Sequence, residues 1–297
     1  MEKNVLILGA SGRFGRHAAQ SFKTAGWSVH TFDRSKDQLP DAAKGMQVIV
    51  ATGNPLYPDW ASQLPAIHAQ IRAAALKHDA LVVLPGNVYV FGADTPLPWG
   101  AETPHKAQNP LGRLRIDMEA AYRREGVRTL LIRAGDFLDT QASGNWFDEI
   151  LTKSLNVGKL TYPGDLNTPH SWAYLPDLAR ATVALSEMRD TLPKFVDVPF
   201  AGYTMTGTEM AQILGRTHGR LITARSMAWW PLRLASPFMP LFRYLREMRY
   251  LWDTPHHLDP EPLQSLLPDF EPTPVDQALA RATAHLGQKS ADQLATT

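Results

Sequence analysis

The sequence predicts an α/β protein, a doubly wound parallel sheet with a smaller C-terminal lobe, and three observations carry that reading. Short, wholly apolar runs alternate with helical stretches through the first half of the chain. The first run ends in a glycine-rich turn that opens straight into a helix. After about residue 140 the alternation loosens, and proline and tryptophan become frequent.

The elements follow in order. The runs VLIL (5–8), SVHTF (28–32), MQVIV (46–50), ALVVL (80–84) and TLLIR (129–133) read as strands covered on both faces, the usual state in a parallel sheet. A helix is predicted over 14–26, stopped by Gly26, and another over 64–79. The run LPDLARATVALSEM (175–188) predicts a helix that returns to the sheet lobe, with Asp177 favourable in its first turn. The sheet lobe is therefore expected over 1–149 plus 173–196, and the smaller lobe over 150–172 plus 197–287. Residues 288–297 are polar and are expected to be an unstructured tail.

Composition narrows the function. At 297 residues, 44% apolar and 20% charged, the chain can bury a full core. A net charge of +1 gives no electrostatic footprint for nucleic acid, and none is expected as a partner. With no cysteine there is no disulfide, thiolate nucleophile or cysteine-bound metal. His256 and His257 are adjacent and poorly placed to share an ion, and no metal site is assigned. The start MEKNVLILGASG lacks the features of a secretory signal, and no run of eighteen apolar residues occurs. A cytoplasmic setting is expected.

The stretch VLILGASGRFGR (5–16) carries the clearest chemistry. Gly9, Gly12 and Gly15 allow a sharp turn and a close approach of phosphate to backbone. Free amides and the positive end of the helix then hold the anion, so Ser11, Arg13 and Phe14 join the glycines as cofactor-binding candidates. Asp33 follows the second strand, 24 residues after Gly9, where a carboxylate accepts hydrogen bonds from ribose hydroxyls. Arg34 and Arg13 could instead pair with a 2′-phosphate, so NAD and NADP both stay open, with the balance toward NAD.

The spacing Gly-x-x-Gly-x-x-Gly resembles the short-chain dehydrogenase/reductase superfamily, in particular its extended and atypical branch of NAD-dependent epimerases and dehydratases. That resemblance implies a Rossmann-like sheet and places Thr52, Gly53, Asn54 and Pro85 beside the cofactor. It also implies a catalytic serine or threonine after the fourth strand, and a Tyr-x-x-x-Lys helix whose tyrosine moves a proton. Here VVLPGNVYVFG (82–92) sets Asn87 at the serine position. NPLGRLRIDMEA (109–120) keeps Pro110, Gly112 and Glu119 but sets Leu111 for the tyrosine and Arg115 for the lysine. Leucine has no proton to exchange, and no tyrosine in the chain is followed by lysine four residues on.

Two readings stay open. In one, another residue supplies the proton; Tyr89 is the first candidate, with His105, His170 and Tyr174 behind it, and Asn87 and Arg115 assist. The alternative is a non-catalytic NAD(P)-binding sensor or regulatory protein. The phrases LIRAGDFLD (131–139), with Gly135 near the nicotinamide, and HSWAYLPDLARA (170–181) extend the resemblance along the chain. It implies an oxidoreductase or epimerase/dehydratase-like enzyme on a small carbonyl or sugar-type substrate, and a homodimer.

Residues 227–252 combine tryptophans with arginines at helical spacing. Leu241, Leu245, Met248 and Trp252 share one side, and Arg243, Arg246 and Arg249 another. Such a helix can pack on the core with its arginines snorkelling, lie on an anionic membrane, or line an apolar substrate pocket.

Overall fold

The computed structural model describes residues 3–294, with side chains through 286. Along the chain the elements are β1 (Asn4–Leu8), α1 (Arg13–Thr24), β2 (Ser28–Phe32), α2 (Leu39–Ala42), β3 (Val48–Ala51), α3 (Trp60–His78), β4 (Leu81–Asn87), α4 (Pro110–Arg124), β5 (Thr129–Ala134), β6 (Asp136–Leu138), β7 (Lys159–Tyr162) and β8 (His170–Tyr174). There follow α5 (Leu175–Glu187), β9 (Phe195–Pro199), β10 (Tyr203–Met205), α6 (Gly207–Thr217), β11 (Thr223–Ser226), α7 (Trp230–Ala235), α8 (Pro240–Glu247), α9 (Tyr250–Asp253), α10 (Glu261–Leu266) and α11 (Val275–Leu294). Helix α11 carries the backbone into the stretch expected to be a tail, whose last residues, 295–297, lie outside the described residues.

The chain divides into two compact units. The first comprises 1–133, 176–200 and 259–270; the second comprises 134–175, 201–258 and 271–297.

The first unit holds a sheet of six strands in the order β2-β1-β3-β4-β5-β9. Pairing is parallel, with Val5 opposite Val29 on one side and Val48 on the other. The central strands are apolar throughout because helices cover both faces, and β3 and β5 are buried at every residue. Leu6, Ile49, Val82 and Leu131 meet Ile71, Met118 and Tyr122 in one core.

Strand β2 departs from the sequence expectation. Ser28, His30 and Thr31 are exposed, because β2 is the sheet edge and no outer strand follows it. The short α2 leads the chain back past β1 to β3, so consecutive strands lie on opposite sides of β1. At such a reversal the loops beyond the carboxyl ends of the strands splay apart and leave a crevice. Helix α3 begins earlier than predicted, at Trp60, and takes Pro65 inside.

The second unit has a three-stranded sheet, β10-β8-β6, and a parallel pair, β11-β7. Its core gathers Phe147, Tyr162, Trp172, Met210 and Trp252 with Leu279 of α11. Helix α6 starts with a capping box, Thr206 accepting from the Glu209 amide while Glu209 accepts from the Thr206 amide.

Candidate functional site

Strand β1 delivers the chain into the glycine turn. Gly9 has φ +82°, a conformation other residues rarely adopt, and its carbonyl accepts from the Gly12 amide at 2.9 Å. Gly12 is the N-cap of α1, which has no side-chain cap and no acid in its first turn. The positive end of the helix is thus available to an anion. A Cβ on Gly15 would fall 2.1 Å from the Gly9 carbonyl oxygen, and one on Gly9 2.9 Å from Gly53 Cα. Those two glycines let helix, turn and neighbouring loop pack closely. A Cβ on Gly12 would meet only the Gly9 oxygen, at 3.1 Å, so the turn's outer side is open.

Ser11, Gly12 and Arg13 are exposed, whereas Phe14 and Gly15 are buried. The Phe14 ring packs inside, leaving its backbone amide as the group that could face a ligand. Thr52 donates its hydroxyl to the Leu8 carbonyl at 2.5 Å, tying the end of β3 to the end of β1. Gly53 and Asn54 stand exposed beside it. Asp33 accepts from the Ser35 hydroxyl at 2.6 Å and the Ser35 amide at 2.9 Å. These bonds, the hydroxyl foremost, hold the Asp33 carboxyl below its ordinary value, and Lys36 adds to them. Arg34 is exposed next to it.

A second group forms where β4 ends. Asn87 accepts from the Tyr89 amide through its side chain at 3.1 Å, which holds the short turn carrying Tyr89. The Tyr89 hydroxyl lies 2.6 Å from that of Tyr57, and both rings flank Trp60. Leu111 and Arg115 lie on the buried side of α4, each 2% exposed. Gly112 permits this approach, since a Cβ there would sit 2.5 Å from the Tyr89 carbonyl oxygen and from Ala107 Cβ. Arg115 donates to the Pro85 carbonyl at 2.5 Å and lies over the Trp60 ring, while its buried Nε has no hydrogen-bond partner. Burial pushes the Arg115 pKa down; Glu119 and, more weakly, the Tyr89 phenol oppose that effect. An incompletely satisfied cation inside the protein is costly, and a polar or anionic ligand would relieve it.

Tyr57 and Trp60 escaped the sequence reading. Both follow the TGNP exit of the third strand in the stretch LYPDW, and that position after a strand's carboxyl end was the signal available.

Residue types alone would also suggest metal ligation by His105, Glu119 and Asp197, whose donor atoms lie within 4.8 Å of one another. They line a cavity of 520 Å³ with Arg123, Leu131 and Phe195, and none of the predicted cofactor residues borders it. The carboxylates already share a cation. Arg133, fully buried, is 2.8 Å from Glu119 Oε2 and 2.6 Å from Asp197 Oδ2, and also donates to the Asn87 carbonyl. The group is a buried ion triad whose positive charge comes from the protein. His105 has its pKa lowered, by burial first and by Arg133 next.

In the second unit, His170 Nε2 lies 2.7 Å from Asp136 Oδ2, and its ring stacks on Trp252 at 4.2 Å. Tyr174 is a core residue. Gly135 serves packing, because a Cβ there would fall 2.1 Å from the Ser171 carbonyl oxygen. In the first unit, Asp177 sits in the first turn of α5 and accepts from Arg180 at 2.8 Å.

No family model matches the chain, and no curated protein matches it in sequence. Solved structures do match in fold. One is MoeE5 in complex with UDP-glucose and NAD, at 16% identity and TM-score 0.72, covering 96% of this chain and 99% of that one. Another is UDP-glucuronic acid 4-epimerase from Bacillus cereus in complex with UDP-glucuronic acid and NAD, at 14% identity and TM-score 0.72, with 96% and 99% covered. A third is TunA, an NAD-dependent NDP-hexosamine 5,6-dehydratase, at 13% identity and TM-score 0.72, with 97% and 98% covered. The chain has the fold of these three proteins over nearly its whole length.

Proposed function

We propose that this chain is an NAD-dependent enzyme of the epimerase or dehydratase type, acting on a sugar nucleotide, with Tyr89 as its proton-transfer residue. The fold and the glycine turn support the cofactor, and the Asp33 carboxylate, placed just past β2 where it can accept from ribose hydroxyls, supports NAD over NADP. When bound, NAD supplies a hydride acceptor that can return what it takes. The observation that carries the catalytic reading is the Tyr57–Tyr89 hydroxyl pair at 2.6 Å, beside the buried Arg115 at the end of β4.

The residues divide the work as follows. Gly9, Ser11, Gly12, Arg13 and Gly15, with the Phe14 amide, hold the pyrophosphate, and Thr52, Gly53, Asn54 and Pro85 border the ribose and nicotinamide. Tyr89 takes the proton of the substrate hydroxyl being oxidised and gives one back on reduction. Before that transfer Tyr89 is a phenolate, which Tyr57 stabilises by donating to it and the Arg115 guanidinium by charge. Asn87 orients Tyr89 through its amide.

The test is turnover of full-length protein with NAD on UDP-glucose, UDP-galactose and UDP-glucuronic acid. Tyr89→Phe is expected to lower kcat by about 10²-fold or more. Unchanged turnover would remove Tyr89 from the role. A second reading, an NAD-binding sensor without catalysis, is favoured by Leu111, an apolar buried residue at the resemblance's tyrosine position. It predicts nucleotide binding with no product from any sugar nucleotide.

A further inference from the structure

Helices α7 and α8 pack against each other, joined through 236–239, but neither buries a single residue. Core packing, one of the roles open to 227–252, is therefore confined to its two ends, at Trp229 and at Met248, Leu251 and Trp252. The root of the hairpin is well held. Trp229 donates its indole N–H to the Pro163 carbonyl at 2.7 Å, packs near Trp146, and lies under Arg249. Its tip is not held: Trp230 and Leu234 are each 66% exposed, Phe238 86%, Met239 48% and Leu241 37%. Half of the ten large apolar side chains exposed among the described residues fall within these twelve positions. The same hairpin, 230–247, carries three arginines, Arg233, Arg243 and Arg246, against one acid, Glu247, in a chain whose total charge is only +1; Arg249, just beyond it, is paired with Asp253 at 3.3 Å.

We propose that this hairpin is a docking surface for an anionic phospholipid bilayer, with the tip apolar side chains entering the interface and the arginines meeting headgroup phosphates. Aromatic and aliphatic side chains beside arginines suit that boundary, where the apolar groups leave water and the cations do not. A second copy of the chain fits poorly. Two identical faces meeting about a twofold axis would bring their arginines together, and like charges at an interface are costly. No helix among the described residues is long and apolar enough to cross a membrane, so the association proposed is peripheral.

Co-sedimentation of the full-length protein with vesicles tests this directly. One set is pure phosphatidylcholine, and the other contains one-third phosphatidylglycerol. Binding is expected on the anionic set alone, weakening in about 0.5 M NaCl as the charges are screened. Arg233→Glu with Arg243→Glu should weaken it by at least about twenty-fivefold, roughly fivefold for each positive charge removed. Leu234→Ser with Phe238→Ser should abolish it, while NAD affinity and thermal midpoint stay at the wild-type values. Absence of binding, or equal binding to both vesicle sets, would overturn the proposal. So would a wild-type dimer, seen by light scattering, that Phe238→Ser converts to monomer in a protein that ignores vesicles.

Discussion

Arg115 stands where the resemblance expects a lysine, and its burial sets what it can do there. On a helix surface its guanidinium would be solvated, but here it is 2% exposed and bonded to the Pro85 carbonyl. Replacing a poorly satisfied buried cation with an apolar side chain of similar length often leaves stability unchanged or raises it. Arg115→Met should therefore hold or raise the urea midpoint while cutting kcat at least tenfold; a large loss of stability would make Arg115 structural. Arg133 is the contrasting case, because both of its carboxylate partners are buried beside it. Glu119→Ala should cost about 3–5 kcal/mol in denaturant unfolding, as expected for breaking a buried ion network.

His68 sets an acid limit. It is buried against the Tyr122 hydroxyl, at 2.8 Å, and its pKa is lowered to about 3 by burial first, then by Arg115 and Arg72. Above pH 6.5 the ring is neutral folded or unfolded, and its contribution to stability is fully present. Below that, the unfolded chain takes up a proton that the native state refuses. Stability should fall between pH 6.5 and about 3, by on the order of 4 kcal/mol at the acid end. His68→Gln should flatten that limb in a pH series of urea unfolding.

Elements were legible where local pattern decides them. Strands β1, β3, β4 and β5 announce themselves because each is apolar at nearly every residue, and α1 because its glycine turn and Gly26 mark both ends. Strand β2 misled because an edge strand can carry the same β-branched and aromatic residues as a central one. The packing of α4 on the β4 exit was not legible, although Gly112 marks it. Gly112→Ala places a methyl 2.5 Å from backbone and should cost about 1–3 kcal/mol, with the helix displaced and turnover reduced. Wild-type stability and activity in the Gly112→Ala variant would show that α4 sits farther from Tyr89 than the structure places it.

Across the whole molecule, the glycine turn makes a prediction independent of chemistry. A ligand that binds only the folded chain stabilises it by about 2.7 kcal/mol at a hundred times its dissociation constant. NAD should therefore raise the thermal midpoint by several degrees, and more than NADP does, since a carboxylate at Asp33 would repel a 2′-phosphate. Gly12→Val should remove the shift. A midpoint indifferent to both nucleotides would remove the cofactor, and the sugar-nucleotide reading with it. The vesicle result would still stand or fall separately, because it rests on 230–247 and on no part of the turn.

The parallel sheet, the position of its first turn and the absence of the usual tyrosine–lysine pair are all readable along the chain. Each of these is written in neighbouring residues, through backbone freedom at glycine and unbroken apolar runs. It took the folded chain to bring Tyr57 to Tyr89, 32 positions apart, Arg115 to Pro85 across 30, and Arg133 to Asp197 across 64. Those meetings depend on strand order and on which side of a helix turns inward. That α7 and α8 bury nothing was settled in the same way, since whether an apolar face is covered depends on what the rest of the chain leaves beside it.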